Sequence, residues 1–225
     1  MQPHILLLGH RGGSGQRSIQ ENTFPAFDLA LEQGCDGFEF DLRLTACGRA
    51  VVCHDAKVNG ITVAKADRTQ LRELPRLEEI FLRYAHKSFL NVELKVPGLE
   101  QKVLAILRDH PPQRDYVISS FIPEVLLEIK ARRSVPIGFI CENANQLALW
   151  RKLPVEYVIA HKSLVTAALV QKIHAADRKI FVWTVNRRSA MLQFAECGVD
   201  GIISDETALL VRTLGKVPAP ITRVN

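Results

Sequence analysis

The feature that most constrains the fold of this chain is a regular alternation of short apolar runs with longer helical patterns. The runs are rich in Val, Ile and Phe and are apolar throughout, which is typical of strands in a sheet covered on both faces. The predicted strands are residues 5–9, 37–42, 50–54, 89–94, 116–121, 137–141, 157–160, 179–185 and 201–204. The segments between them place apolar residues on one helical face and are predicted to be helices, residues 23–34 and 145–153 among them.

The order of these elements predicts an α/β fold. Eight strand-then-helix units run along the chain, and residues 50–54 add an extra strand after the second unit. Eight such units favour a (β/α)8 TIM barrel, with a small excursion after strand 2 at residues 61–75, over the barrel mouth. An open doubly wound sheet is the alternative. No linker interrupts the pattern, so residues 1–225 are predicted to form a single TIM-barrel domain.

Composition narrows the classes of protein to consider. A chain of 225 residues with 47% hydrophobic residues can bury a large core. The net charge of +5 is scattered, and no basic run is longer than a pair such as Arg132-Arg133. Aromatic residues are few and are not interleaved with basic ones, so a nucleic-acid partner is not expected.

Cysteine usage and the amino terminus bear on location. Five cysteines, an odd number with no C-x-x-C spacing, predict free thiols in a reducing compartment. The apolar run at residues 5–8 is too short for a signal peptide or a membrane span. We therefore expect a cytoplasmic protein with no stable membrane insertion. A homo-oligomer is left open, because the sequence does not single out a helix face that would pair subunits.

Three acidic side chains fall inside two of the predicted barrel strands. Glu39 and Asp41 are two residues apart and so face the same side of their strand, and Glu93 and Lys95 repeat this spacing on the neighbouring strand. Carboxylates that converge at a barrel mouth raise one another's pKa unless a cation lies between them. Oxygen ligands suit Mg²⁺ or Ca²⁺, so a divalent metal site is predicted. Surface salt bridges involving Lys95 are the alternative.

Two histidines, His10 and His54, end predicted strands near these acids. A histidine pair can take a proton from a nucleophile and give one to a leaving oxygen near neutral pH. Each has two alternative roles, as a group hydrogen-bonded within the mouth or as a metal ligand. Arg11 follows His10 in the glycine-rich turn of residues 9–15, where an arginine beside flexible backbone N–H groups suits a phosphate.

Seven short motifs, taken in order, resemble those of the glycerophosphodiester phosphodiesterase family. Together they span residues 9–205, and the combination is more specific than any single piece. The motifs are GHRG, ENTFPAF, GFEFDLRLT, AVVCHD, LNVELK, FVWTVN and GVDGIISD.

The resemblance implies a TIM-barrel enzyme that hydrolyses glycerophosphodiesters to glycerol 3-phosphate and an alcohol with a divalent metal, Mg²⁺ or Ca²⁺. By motif, Glu39, Asp41 and Glu93 are its metal ligands. His10 and His54 are its acid–base pair. In this family the glycerol hydroxyl beside the phosphate is thought to attack phosphorus, which gives a cyclic phosphate that water then opens.

The resemblance also implies which residues contact the substrate. Arg11 and Lys95 hold the phosphate, Glu21 approaches the metal or Arg11, and Trp183 lines the glycerol or alcohol pocket. His161 ends the sixth barrel strand, where it touches the glycerol or caps the strand. The full substrate-binding and phosphate-binding set is Arg11, Lys95, Glu21, Asn22, Trp183 and His161.

Departures from the family pattern concern the choice of substrate. The residue before the E-N-T motif is Gln20 where the family usually has proline, and residues 56–69 differ from the usual sequence after His-Asp. Two other activities use the same groups: a lysophospholipase D and a cyclising phosphodiester lyase. A third alternative is a non-catalytic phosphate-binding barrel, which the complete acid and histidine set disfavours.

Overall fold

The computed structural model describes residues 4–13, 15, 18–67 and 69–215 of the chain. Its centre is a closed barrel of eight parallel strands, in which each strand pairs with its neighbours and the first also pairs with the last. The barrel strands are β1 (Leu6–Gly9), β2 (Gly37–Leu44), β6 (Phe89–Leu94), β7 (Tyr116–Ser120), β8 (Ile137–Cys141), β9 (Tyr157–His161), β10 (Lys179–Trp183) and β11 (Gly201–Ser204). The predicted (β/α)8 TIM barrel is confirmed, and the open sheet is wrong because β1 joins β2 to β11.

Helices cover the outside of this barrel and follow the strands as predicted. They are α1 (Phe24–Glu32), α2 (Leu77–Tyr84), α3 (Glu100–Asp109), α4 (Pro123–Arg132), α5 (Ala144–Leu147), α6 (Ala167–His174), α7 (Arg188–Cys197) and α8 (Thr207–Leu214). The segment expected as one helix at residues 145–153 differs, since α5 is a single turn that tightens into a 3-10 helix at Ala148–Lys152. There Trp150 turns into the core and its carbonyl accepts a hydrogen bond from Arg178 instead of continuing the α-helix.

The excursion after β2 is a layer of short elements beside the barrel mouth. Strand β3 (Ala50–Val52) runs antiparallel to the end of β2, and β4 (Lys57–Val58) and β5 (Ile61–Thr62) form a small hairpin. Strand β3 ends two residues before the predicted bound, because the carbonyl of His54 accepts a hydrogen bond from Arg43 Nε at 2.7 Å instead of a strand partner. His54 therefore lies on a loop.

Two apolar layers hold the barrel together. The inner one fills the barrel below its mouth and comprises Leu8, Phe89, Val117, Ile140, Tyr157, Ile159, Phe181 and Ile203. The outer one lies between strands and helices, where Phe27 of α1 stacks on Phe38 of β2 with ring centroids 4.3 Å apart. Because β2 alternates its side chains, Phe38 and Phe40 face the helices while Glu39 and Asp41 face the interior.

The structure also bears on the predictions about cysteines and membranes. The five cysteines are free thiols, as expected. Within the described part of the chain, no helix has both the length and the apolar character that a bilayer crossing requires.

Candidate active site

The three predicted metal ligands meet at the carboxyl ends of β2 and β6. Asp41 and Glu93 are register partners on these parallel strands, and Glu39 lies one inward-facing position below Asp41. Each offers a carboxylate oxygen, and these oxygens lie within 4.8 Å of one another. All three side chains are buried, and the salt bridges that Lys95 makes with Glu93 and Asp41 lie inside the mouth rather than at the surface.

The electrostatics of this acid triad fit a divalent cation. Burial, together with the neighbouring Asp41 and Glu93, raises the pKa of Glu39 well above its ordinary value. Burial and Asp41 likewise raise the pKa of Glu93. The Oε1 atom of Glu39 is buried and finds no hydrogen-bond donor among the described residues. A buried carboxylate oxygen without a hydrogen-bond donor, beside two further carboxylates, is the kind of ligand set that hard cations such as Mg²⁺ and Ca²⁺ bind.

Two basic side chains border the acid triad. The ammonium of Lys95 lies 2.7 Å from Glu93 and 3.3 Å from Asp41, and Nε of Arg11 lies 3.4 Å from Asp41. Burial alone would lower the pKa of Lys95, but Glu93 and Asp41 outweigh it and raise that pKa. Both basic side chains therefore stay charged beside the acids, and two cations at this position suit the binding of an anionic phosphate.

Arg11 is held in place by its backbone as well as its side chain. Its main-chain N–H donates to Glu39 Oε2 at 3.0 Å, and its guanidinium donates to Glu21 at 2.8 Å. Arg11 adopts a left-handed backbone with φ of 50°, which turns the chain sharply after β1. Of the glycine-rich turn that surrounds it, Ser14 lies outside the described residues.

His10 lies between a carboxylate and the acid triad. Its Nδ1 is 2.7 Å from Asp205 Oδ1, and its Nε2 is 3.9 Å from Glu39 Oε2. Asp205 is itself fixed by Asn186. The Asn186 side-chain N–H donates to Asp205 Oδ2, and Asn186 Oδ1 accepts a hydrogen bond from the main-chain N–H of Asp205 at 3.0 Å. This arrangement orients the imidazole and leaves Nε2 as the atom available for proton transfer.

His54 has a more exposed setting on the loop after β3. Its Nδ1 lies 2.9 Å from Asp55 Oδ1, and the side chain of Asp55 is 79% exposed. His54 nevertheless lines the same cavity as His10, so the fold brings the two predicted histidines together at the mouth.

Asn22 and Glu21 support the site from outside this cavity. Asn22 is buried, its amide donates to Asp41 Oδ2 at 2.8 Å, and its carbonyl oxygen accepts from the Asp41 main chain at 3.3 Å. Glu21 pairs with Arg11, one of the two positions expected for it. Neither residue lines the main cavity; Glu21 holds Arg11, which does line it, and Asn22 holds Asp41 of the acid triad.

The main cavity has a volume of about 440 Å³ and joins the charged groups to an apolar wall. Phe121 and Trp183 meet edge to face with ring centroids 5.7 Å apart, and Trp183 donates from its ring nitrogen to the Ile159 carbonyl. His161 packs on Trp183 and bonds Ser163, so it supports the wall rather than lining the cavity. Lining residues not given a role from sequence are Phe121, Ile140, Glu142, Gln146, Ile159 and Ile203.

Replacing Glu39 by Gln is expected to raise the melting temperature of the metal-free protein. The raised pKa of Glu39 means that ionisation opposes folding, so the penalty grows as pH rises from about 4.5, the ordinary value, through the raised folded pKa. A gain of roughly 1 kcal/mol would raise Tm by about 2–4 °C, measured by calorimetry in EDTA at neutral pH.

The matched control is Glu93→Gln. The pKa of Glu93 is raised as well, but its ion pair with Lys95 opposes that rise, so removing this carboxylate should give a smaller gain. A Glu39→Gln protein that melts no higher than wild type in EDTA would contradict the repulsion argued for the acid triad.

Replacing Asn22 by Gly is expected to weaken divalent-cation binding by about 10–100-fold, the usual cost of removing a group that orients a metal ligand. Glycine accepts the left-handed φ of 57° at this position, so the change removes the hydrogen bonds to Asp41 without backbone strain. Asn59→Gly, at φ of 49° on the hairpin, is the control and should leave affinity unchanged in isothermal titration. Equal affinity of both variants would show that Asn22 does not position Asp41.

A closed parallel barrel that gathers its charged and acid–base groups at the carboxyl ends of its strands defines a TIM-barrel enzyme. Comparison with known proteins narrows this class. The glycerophosphoryl diester phosphodiesterase family matches the chain over residues 10–103 and 87–209. The chain therefore belongs to this family of enzymes, and the resemblance seen in the sequence is confirmed.

Individual relatives agree with this assignment. The chain is similar to a glycerophosphodiester phosphodiesterase of Caldanaerobacter subterraneus subsp. tengcongensis, at 30% identity over 94% of this chain and 98% of the relative. The Thermotoga maritima glycerophosphodiester phosphodiesterase structure matches at a TM-score of 0.80 and 25% identity, over 94% of this chain and 99% of that one. The structure of an Oleispira antarctica phosphodiesterase, in complex with the product sn-glycerol-3-phosphate, matches at a TM-score of 0.82 and 25% identity. The match covers 94% of this chain and 97% of that one.

Proposed function

We propose that this enzyme hydrolyses glycerophosphodiesters to glycerol 3-phosphate and an alcohol, with a divalent metal held by Glu39, Asp41 and Glu93. The observation that carries the proposal is the meeting of these carboxylates, within 4.8 Å of one another, with two histidines and two bases around one cavity. The names of the relatives support the substrate class, as does the product bound to the Oleispira antarctica enzyme.

Each group in the cavity has a task in this reaction. A divalent cation bound by the acid triad would neutralise charge on the phosphodiester and so favour attack at phosphorus. Arg11 and Lys95 bind the phosphate oxygens, and their charges balance the charge that develops as the bonds change. One histidine takes the proton of the attacking hydroxyl and the other protonates the leaving oxygen, each worth about 10²–10⁴-fold in rate.

The apolar wall completes the site. Phe121 and Trp183 cover one side of the cavity. The carbon atoms of the glycerol can pack against this apolar wall while its phosphate faces Arg11 and Lys95. A cavity of about 440 Å³ with one apolar side suits a small-molecule substrate. The free cysteines support a reducing compartment, and with it a cytoplasmic location.

The test is a panel of glycerophosphodiesters assayed in EDTA and again after Mg²⁺, Ca²⁺ or Mn²⁺ is added back. We expect no turnover in EDTA and recovery with at least one cation, with glycerol 3-phosphate as the product in phosphorus NMR. A cyclic phosphate as the final product would identify a lyase instead. Full turnover in EDTA would rule out the metal-dependent route, and absence of turnover under every condition would favour a binding protein.

A further inference from the structure

Asn91 is a buried polar side chain that has no part in the proposed reaction. It lies on β6 between Phe89 of the inner apolar layer and Glu93 of the acid triad, and the three share one face because side chains alternate along a strand. Asn91 is 1% exposed, and Ser119 of β7, which contacts it, is fully buried. An amide at this depth carries hydrogen-bonding groups that the apolar layer beneath it cannot satisfy.

One end of this amide has a partner and the other does not. Ser119 Oγ donates to Asn91 Oδ1 at 2.7 Å. Because β6 lies between β7 and β2, an amide whose oxygen is held by β7 turns its nitrogen away from that strand. Nδ2 of Asn91 is buried and finds no acceptor in the described part of the chain. A buried N–H group without an acceptor is rare, and it indicates a partner that is gained in another state of the site.

Glu39 is the acceptor that fits this donor. It is the register partner of Asn91 on the neighbouring strand β2, so the two inward-facing residues are about 4.8 Å apart at the backbone. Oε2 of Glu39 accepts from the Arg11 main chain at 3.0 Å, whereas Oε1 is buried and has no donor among the described residues. Glu93 lies about 6.6 Å further along β6 and already pairs with Lys95 at 2.7 Å. The unpaired donor and the unpaired acceptor therefore belong to adjacent residues.

We propose that Asn91 is a positioning residue for Glu39, an inference that rests on the proposed function. When a divalent cation binds the acid triad, Nδ2 of Asn91 donates to the Glu39 carboxylate. A carboxylate oxygen can bind a cation with one lone pair and accept an N–H with the other. The Arg11 main chain then holds one oxygen of Glu39 and Asn91 holds the other. Hydrogen bonds of this kind orient a metal ligand and raise the affinity of the site.

The proposal can be tested by removing the donor. Asn91→Leu should weaken the binding of Mg²⁺ and Ca²⁺ by about 10–100-fold in isothermal titration. The double variant Asn91→Leu/Ser119→Ala removes both partners of the buried hydrogen bond, so it should melt within about 4 °C of wild type in EDTA and show the same loss of affinity. Unchanged affinity in these variants would overturn the inference.

Ser120→Ala is the matched control. Ser120 is also buried on β7, but its hydroxyl donates to the Leu94 carbonyl at 2.8 Å and not to a group near Glu39. We expect Ser120→Ala to lower the melting temperature and to keep wild-type affinity for both cations. An equal loss of affinity in Ser120→Ala would show that any buried hydrogen bond in this part of the barrel has the effect, and so would contradict a specific role for Asn91.

The side-chain amide itself gives a second measurement. Its signal in the ¹⁵N–¹H NMR spectrum is the NH₂ pair that is absent from the Asn91→Leu spectrum. One proton of this pair should move downfield when Mg²⁺ is added to the wild-type enzyme, because a hydrogen bond to a carboxylate deshields it. A pair that stays in place while Mg²⁺ binds would overturn the inference. Wild-type enzyme that binds neither cation in isothermal titration would instead contradict the proposed function.

Discussion

Replacing His10 by Ala is expected to lower kcat for glycerophosphodiester hydrolysis by about 10²–10⁴-fold, the range for one lost proton transfer. His10 is fixed through Nδ1 by Asp205, which is fixed in turn by Asn186, and its Nε2 faces the acid triad. An alanine keeps none of these contacts, and a water in its place would be neither oriented nor basic enough. Steady-state kinetics at saturating substrate and metal would measure the effect on kcat.

The matched control for this prediction is His4→Ala. His4 also pairs with an aspartate, since its Nε2 lies 3.0 Å from Asp36, but it precedes β1, at the end of the barrel away from the mouth. If the aspartate-bound histidines only stabilise the fold, His4→Ala and His10→Ala should reduce activity to the same extent. If His10→Ala and His54→Ala both retain wild-type turnover, the acid–base assignment fails.

The barrel could be predicted from sequence because each of its units has its own local signature. The strands are short apolar runs, the helices that follow them have an apolar face except for the single turn α5, and the number of units then decides between a closed barrel and an open sheet. Element ends were less predictable, since they depend on contacts from elsewhere. The bond from Arg43 to the His54 carbonyl, which ends β3, is an example.

The acid triad could be predicted for a similar reason. Glu39 and Asp41 share a face by spacing alone, and parallel neighbours bring Glu93 beside them. The partners that orient these groups could not be assigned, because Asp205 is 195 residues from His10 in the chain and Asn22 reaches Asp41 from a turn. Active-site residues of a TIM barrel lie at the carboxyl ends of its strands, so the sequence places these residues at the mouth. It does not show which of them contact one another.

The internal structure of the excursion after β2 was beyond the reach of sequence for a different reason. It is built from two-residue strands and a single 3-10 turn, which are too short to show any hydrophobic period. Its own small core, Val51, Cys53, Val63, Ala66 and Leu71, comes from scattered positions. The shape of this side of the barrel mouth therefore emerges only from the folded chain.

Replacing Asp41 by Asn is expected to lower kcat/KM by at least about 10²-fold, and added metal should not restore it. Asp41 is the carboxylate on which the site converges: Lys95 lies 3.3 Å away, Arg11 lies 3.4 Å away, and Asn22 donates to it at 2.8 Å. An amide removes a charge that a hard cation requires, and metal stabilisation of the transition state is worth several kcal/mol, with tenfold in rate for each 1.4 kcal/mol or so. The same change also leaves Lys95 and Arg11 with less negative charge to balance.

Metal affinity and activity together make this prediction decisive. Isothermal titration of Asp41→Asn with Mg²⁺ and Ca²⁺ should show weakened binding, while kcat/KM stays low across the full range of metal concentration. Asp36→Asn is the control, because Asp36 is also a structural aspartate, bonded to His4 and to the main-chain N–H of Leu7, yet lies away from the mouth. It should bind metal and turn over substrate as wild type does. Normal metal binding by Asp41→Asn, with activity lost, would place the cation elsewhere and leave Asp41 as the anchor of the two phosphate-binding bases.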